Sequence, residues 1–325
     1  MRGGREIKIR SLIITIVLIL VFSGLFPVQA VELEYSTYLG GSDIDGTTNI
    51  GLVLDSLGRV YAAGYTQSVN FPTGNSYQAV FGGGAWDGFC TCLSSSGSAL
   101  IYSTYLGGSS SDQGTAVAID SLGRSFLTGY TQSKNFPTGN AYQAAYHQGG
   151  SENDVFVTCL SSSGSSLCYS TYLGGDDEDR SQAIAVSAAG RAFLSGYTAS
   201  TNFPVKSPYQ STYNGGLYDA FAVILSSSGS TVYFSTYLGG SGTDRARSVA
   251  LNSAGSLFLA GATNSANFPT VNPYQSSNAG NFDAFVTKIT HVGSVALPWI
   301  RDYNGDGTSD IAIFRDSSGL WAVRG

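Results

Sequence analysis

Charge is scarce in this 325-residue chain: Asp, Glu, Lys and Arg together make up 12% of it. Histidine occurs twice, cysteine four times, methionine once and proline eight times. Each shortage removes a class of explanation. With only His147 and His291, neither in a triad-like or metal-spaced setting, histidine-centred catalysis has no foundation. No G-x-S-x-G elbow, H-E-x-x-H helix or phosphate-cradling P-loop occurs. Four cysteines are too few to staple a fold of this length. Cys90 and Cys92 lie two apart on an extended stretch, where a bond would be strained, whereas Cys159 and Cys168 flank an "SSSG" turn that could bring them to disulfide distance. The alternative is four buried thiols acting as small hydrophobes.

One long apolar run is present, and it sits at the start. Arg2, Arg5, Lys8 and Arg10 precede "LIITIVLILVFSGLF", and "VQA" ends at Ala30. That pattern reads as a secretory signal over residues 1–30, cleaved after Ala30; the uncleaved N-terminal anchor is the alternative. The expectation is a secreted or surface protein that meets the membrane only through a transient signal peptide. Without those residues, 12 basic side chains face 21 acidic ones, a balance that argues against a nucleic-acid partner.

Glycine (42) and tyrosine (20) are plentiful, and 42% of residues are hydrophobic, enough for a buried core rather than disorder. The strongest signal is repetition. "YSTYLGG" stands at 35, 102 and 169 and returns as "FSTYLGG" at 234, so copies are 67, 67 and 65 residues apart. Ten residues into each copy comes an aspartate: Asp45, Asp112, Asp179 and Asp244. Two apolar stretches joined by a Gly turn follow, then a loop of the form "NFPTGNSYQ", then a strand such as "DAFVTKI". Each copy therefore contains four short strands, and nothing beyond the signal reads as a helix. The fold class expected is all-β: a β-propeller of about four four-stranded antiparallel blades, with an N-terminal signal helix and a short C-terminal β segment. A stacked solenoid is the rival, but its coils are shorter.

Strand order follows from the same repeat. The "AVAID" stretch is the innermost strand, and each "YSTYLGG" is the outermost strand of the blade before it. The fourth copy then ends one strand short, and residues 33–39 could fill that gap and close the ring; an open arc, or completion by another chain, is the alternative. Short turns fall on one face of the molecule, while the Asp-bearing crossovers and NFP loops fall on the other, the better place for binding.

These spaced elements over residues 33–293 resemble the bacterial repeat family known as SBBP, whose name stands for seven-bladed β-propeller. The count departs from that name, since this chain has four copies. The resemblance implies exported or surface proteins and carries over no catalytic residue. The propeller domain is assigned to residues 31–293.

Residues 294–325 leave the repeat. "DYNGDGTSD" sets Asp302, Asn304, Asp306 and Asp310 at alternating positions around Gly307, with the Thr308 carbonyl as a further oxygen. Such an oxygen set suits calcium, although Ile313 stands where an EF-hand needs a bidentate Glu. The segment resembles a partial FG-GAP or VCBS repeat, with calcium in a structural role. A solvated Asx-rich turn is the alternative.

Two residue sets are candidates for binding. Asp45, Asp112, Asp179 and Asp244 either cap backbone N–H groups at the crossovers or form a ring of carboxylates on the channel. Tyr77, Tyr142, Tyr209 and Tyr274 either stack on a ligand or wedge between blades, as the repeated Phe71, Phe136, Phe203 and Phe268 are expected to do. The functional expectation is an exported, noncatalytic propeller whose loop face binds protein or carbohydrate. Its rivals are a carbohydrate-active hydrolase or lyase using channel carboxylates, and a structural fragment of a larger surface protein.

Overall fold

In this computed structural model, residues 31–46, 50–147, 152–252 and 255–290 are described, with two further strands at 311–315 and 319–323. The expected signal segment and the expected calcium loop lie outside the described residues. Among those described, no helix is long and apolar enough to cross a membrane.

The β-branched and aromatic stretches form strands where the repeat places them. The first blade holds β1 (Gly51–Leu54), β2 (Val60–Thr66), β3 (Asp87–Leu93) and β4 (Leu100–Leu106), paired in that order. The second holds β5 (Asp112–Ile119), β6 (Ser125–Thr131), β7 (Asp154–Leu160) and β8 (Leu167–Leu173). The third holds β9 (Asp179–Val186), β10 (Ala192–Thr198), β11 (Asp219–Leu225) and β12 (Val232–Leu238). All pairings are antiparallel. Among the described residues the fourth blade has three strands, β13 (Asp244–Leu251), β14 (Leu257–Thr263) and β15 (Asp283–Ile289). Strands β16 (Ile311–Arg315) and β17 (Gly319–Val323) pair as a separate hairpin.

The heptads of the second, third and fourth copies thus supply the outer strand of the preceding blade, and the inner strands β1, β5, β9 and β13 pack side by side in series. Among the described residues no comparable packing joins β13 back to β1, so the four sheets form an open arc. Residues 33–39, expected as a candidate closing strand, carry no strand, and Tyr38 is fully exposed.

The core lies between blades. One cluster joins Phe126, Val155 and Val157 of the second blade to Ile184, Leu194 and Val223 of the third. Another joins Tyr61, Cys90 and Cys92 of the first to Val117, Leu127 and Phe156 of the second. Within a blade, a glycine in three of the second strands lets that strand approach the inner one closely. A Cβ on Gly129, Gly196 or Gly261 would fall about 2 Å from the carbonyl of Gln113, Arg180 or Arg245, at a bulge in the inner pair.

The long NFP loops are not slack. Residues 74 and 78 bridge to Ser103 and Tyr105 on the far edge of β4, and the second and third blades repeat the arrangement. The loop thereby covers an edge that would otherwise be open. Asn75, Asn140, Ser207 and Asn272 take left-handed backbone at the same point of each loop, with φ between 46° and 49°.

All four cysteines are free thiols. Tyr169, rather than Cys168, lies opposite Cys159, and Cys168 falls in the bulge where the register shifts by one residue. The buried-thiol alternative describes Cys90, Cys92 and Cys159, while Cys168 is half-buried.

Candidate functional site: an aromatic and arginine cluster beside buried carboxylates

The repeated aspartates are caps. Asp112, Asp179 and Asp244 are sealed from solvent and Asp45 is half-buried. The N–H of Gly41, Gly108, Gly175 and Gly240 donates to their Oδ2 atoms at 2.7–2.8 Å. Ser68, Ser133, Ser200 and Ser265 hydroxyls donate to the same oxygens at 2.7–3.1 Å. In the first two copies Thr66 and Thr131 complete the cap on Oδ1. The carboxylate therefore ties each crossover to the following blade, and no ring of exposed carboxylates forms.

A second aspartate set, for which the sequence suggested no role, stands at the head of the third strands. Asp87, Asp154 and Asp219 open β3, β7 and β11, fully buried or nearly so. Their Oδ2 atoms accept from the N–H of Gly82 (2.5 Å), His147 (2.9 Å) and Asn214 (2.8 Å). Gln78, Gln143 and Gln210 donate to them as well. The two sets meet at one glycine. A Cβ on Gly107 would lie 2.5 Å from Asp87 Oδ1 and 2.9 Å from Asp112 Oδ2, and Gly174 and Gly239 stand likewise between their own pairs. The first glycine of "YSTYLGG" is thus fixed by two carboxyl groups converging on it.

Burial raises these carboxyl groups far above the ordinary range. Asp112 is pushed up to about 6 and Asp179 to about 8, by desolvation that outweighs their hydrogen bonds. Asp87, Asp154 and Asp219 are pushed to about 7, again chiefly by desolvation, with the facing Asp112 adding to Asp87 and the facing Asp244 to Asp219.

The crossover face carries a different group. Tyr65 meets Trp86 edge-on at 4.9 Å, and Tyr197 meets Tyr218 at 4.7 Å. Arg180, at the second position of β9, lies over the Tyr130 ring of the blade before it at 4.4 Å. Arg245, at the same position of β13, lies over Tyr197 and Tyr218 of its own preceding blade at 5.2 and 4.7 Å. Glu178 pairs with Arg180 and accepts from the Tyr218 hydroxyl, and Asn153 donates to it at 3.4 Å. The Nε atoms of Arg180 and Arg245 are buried without a hydrogen-bond partner. Apart from Tyr65 and Asn153, which are buried, these side chains are half-buried, each with part of its surface in solvent. The arginines were missed because they lie beside the capping aspartates inside strands; their signal was the residue immediately after Asp179 and Asp244.

Tyr77, Tyr142, Tyr209 and Tyr274 are exposed on their loops, not wedged between blades. Phe71, Phe136 and Phe203 are buried and stack on Phe89, Phe156 and Phe221 at 4.6–4.7 Å, whereas Phe268 is only half-buried on Phe285. Asp302, Asn304, Asp306, Thr308 and Asp310 lie outside the described residues. Among those described, no group of three or more His, Cys, Asp or Glu side chains is placed to hold a metal ion.

Four-stranded antiparallel sheets packed through their inner strands, with crossovers gathered on one face, define a β-propeller. The comparison with known families agrees: a family model described as the SBBP beta-propeller repeat matches residues 34–72 and 101–137. No curated protein matches the chain.

Proposed function

We propose that the protein is an exported, noncatalytic β-propeller whose crossover face binds a carbohydrate or protein ligand. The observation that supports this reading is the half-exposed cluster of Trp86, Tyr130, Tyr197, Tyr218, Arg180 and Arg245. Tyrosine and tryptophan offer flat apolar area with a polar tip, and arginine adds donors that match hydroxyl and carboxylate groups. Tyr77, Tyr142 and Tyr209 are exposed on the NFP loops and add further aromatic surface. An enzymatic reading has less support, because Asp112, Asp179 and Asp244 are enclosed in turns with their oxygens engaged by backbone and hydroxyl donors. In the tail, we place calcium at Asp302, Asn304, Asp306, Asp310 and the Thr308 carbonyl, where it would stiffen the loop.

A glycan array and a pull-down from native envelope, run with the unaltered protein and with Arg245→Ala, test the proposal. Binding that drops at least tenfold in the variant is the expected result. Ligand capture that is indifferent to Arg245→Ala and Trp86→Ala would remove this face from consideration. Calorimetric titration with calcium, repeated on Asp306→Asn, tests the tail.

A further inference from the structure

Every internal junction in the arc is made the same way. A heptad is anchored in one blade by its Gly–Gly turn, whose N–H donates to the capping aspartate, and its first five residues lie as the outer strand of the blade before. In that position Tyr105, Tyr172 and Tyr237 are sealed, and each donates its hydroxyl to the carbonyl of Ser68, Ser133 or Ser200 at 2.7–2.8 Å. Each also packs on the loop phenylalanine of its own blade, about 6.1 Å away.

The first heptad has the anchor, and among the described residues no blade precedes it. Gly41 N–H donates to Asp45 at 2.7 Å, and Leu39 packs against the cluster of Phe71, Phe89 and Tyr105. Tyr38, the counterpart of Tyr105, is nevertheless fully exposed. The fourth blade has the complementary defect. Among the described residues β15 has no outer partner, and a groove of about 800 Å³ runs along it, lined by Ser265, Phe268, Gln275, Phe285, Val286 and Thr287. The faces beside these features are matched as well. Leu52 on β1 is 63% exposed where Val117 and Ile184 are covered by a preceding blade, and Val286 is 80% exposed where Cys90, Val157 and Ala222 are covered by a following one.

We propose that residues 35–39 of one copy of this chain form the outer strand on β15 of a second copy, so that blade one of the first packs on blade four of the second. The occupant is argued from continuity with the internal junctions, which already show this sequence on this surface three times. The spacing of the repeats fixes the register: Tyr38 lies opposite Phe285 and Thr37 opposite Val286, as Tyr105 lies opposite Phe89 and Thr104 opposite Cys90. The Tyr38 hydroxyl then donates to the Ser265 carbonyl, and its ring covers Phe268. Because β13 does not pack on β1 within the arc, the matched ends of one chain are apart and a second copy meets them. A contact of this kind is heterologous, joining different surfaces of the two partners, so it grows into a larger ring or a filament.

The test is the mass of the purified protein against concentration, by sedimentation, for the native chain, Tyr38→Asp and Val286→Asp. The native mass is expected to at least double with concentration, while each variant alone stays monomeric. Mixing the two variants leaves one intact strand and one intact groove, so a 1:1 dimer and nothing larger is expected; its formation also shows that both variants fold. A Thr37→Cys/Val286→Cys protein should give cross-links between chains on a non-reducing gel. A native protein that stays monomeric, oligomers that ignore both aspartates, or a cross-link confined to one chain would each overturn the proposal, the last by showing closure within a single copy.

Discussion

Val157 and Val286 hold the same place in their strands, each fourth in a "DxFV" run, yet the first is sealed and the second is largely in solvent. The same contrast separates Val117 from Leu52 at the other end of the arc. Sequence composition at these positions hardly differs, so burial here is a property of having a neighbour. A blade has two apolar faces, and its own sheet hydrogen bonds cover neither. The middle of the molecule draws its stability from contacts between blades, and the two ends have the same surfaces without the contacts.

The sharpest way to probe that difference is through the caps. Asp179→Ala leaves the Gly175 N–H and Ser200 hydroxyl without their acceptor at a site closed to water, and should cost about 3 kcal/mol. Asp45→Ala removes the same bonds where water can replace them, and should cost under about 1 kcal/mol. Paired urea melts measure both. Equal losses would mean that the cap acts within its own turn and not at the junction.

Packing should show a somewhat smaller gap. Val157→Ala opens a void between the second and third blades and is expected to lower stability by about 2 kcal/mol. Val286→Ala, measured at concentrations where the protein is monomeric, should change it by less than about 0.5 kcal/mol. If both cost the same, the end face is covered in solution and the contrast between middle and end is lost.

Much of this was legible in the sequence, and the reasons are particular. The 67-residue spacing fixed strand order, because a hairpin-first unit leaves "YSTYLGG" only one place, beside the strand before it. The missing fourth strand of the last blade followed from the same count. Ring closure did not follow, since curvature depends on the wedge between blades and no single residue encodes that angle. The capping role of Asp112 and its counterparts was one of two open readings, and the Gly–Gly turn four residues earlier decides it. Asp87, Asp154 and Asp219 went unrecognised because an aspartate at the head of a strand looks like an exposed strand end; only the crossover folding back on it shows it is buried. Arg180 and Arg245 were missed for a related reason: their ring partners lie on the preceding blade, more than 25 residues away in sequence.

The converging carboxyl groups give the comparison its mildest test, through pH. Burial disfavours the charge of Asp87, Asp154 and Asp219 and pushes them up to about 7 in the folded protein, from the ordinary carboxyl value of 3.8. Between about pH 4 and 7 the folded protein therefore holds protons that the unfolded chain has released. Stability from these groups is fully present at the acid end of that window and is lost as pH rises through 7. Asp87→Asn with Asp219→Asn takes two such groups out of the titration, so the double variant should lose less stability than the native protein between pH 5 and 8, seen as converging thermal midpoints toward alkaline pH. Parallel midpoint curves across that range would show that the facing carboxyl groups at the internal junctions titrate as they do in the unfolded chain, and the paired carboxyl groups would then no longer set the middle of the arc apart.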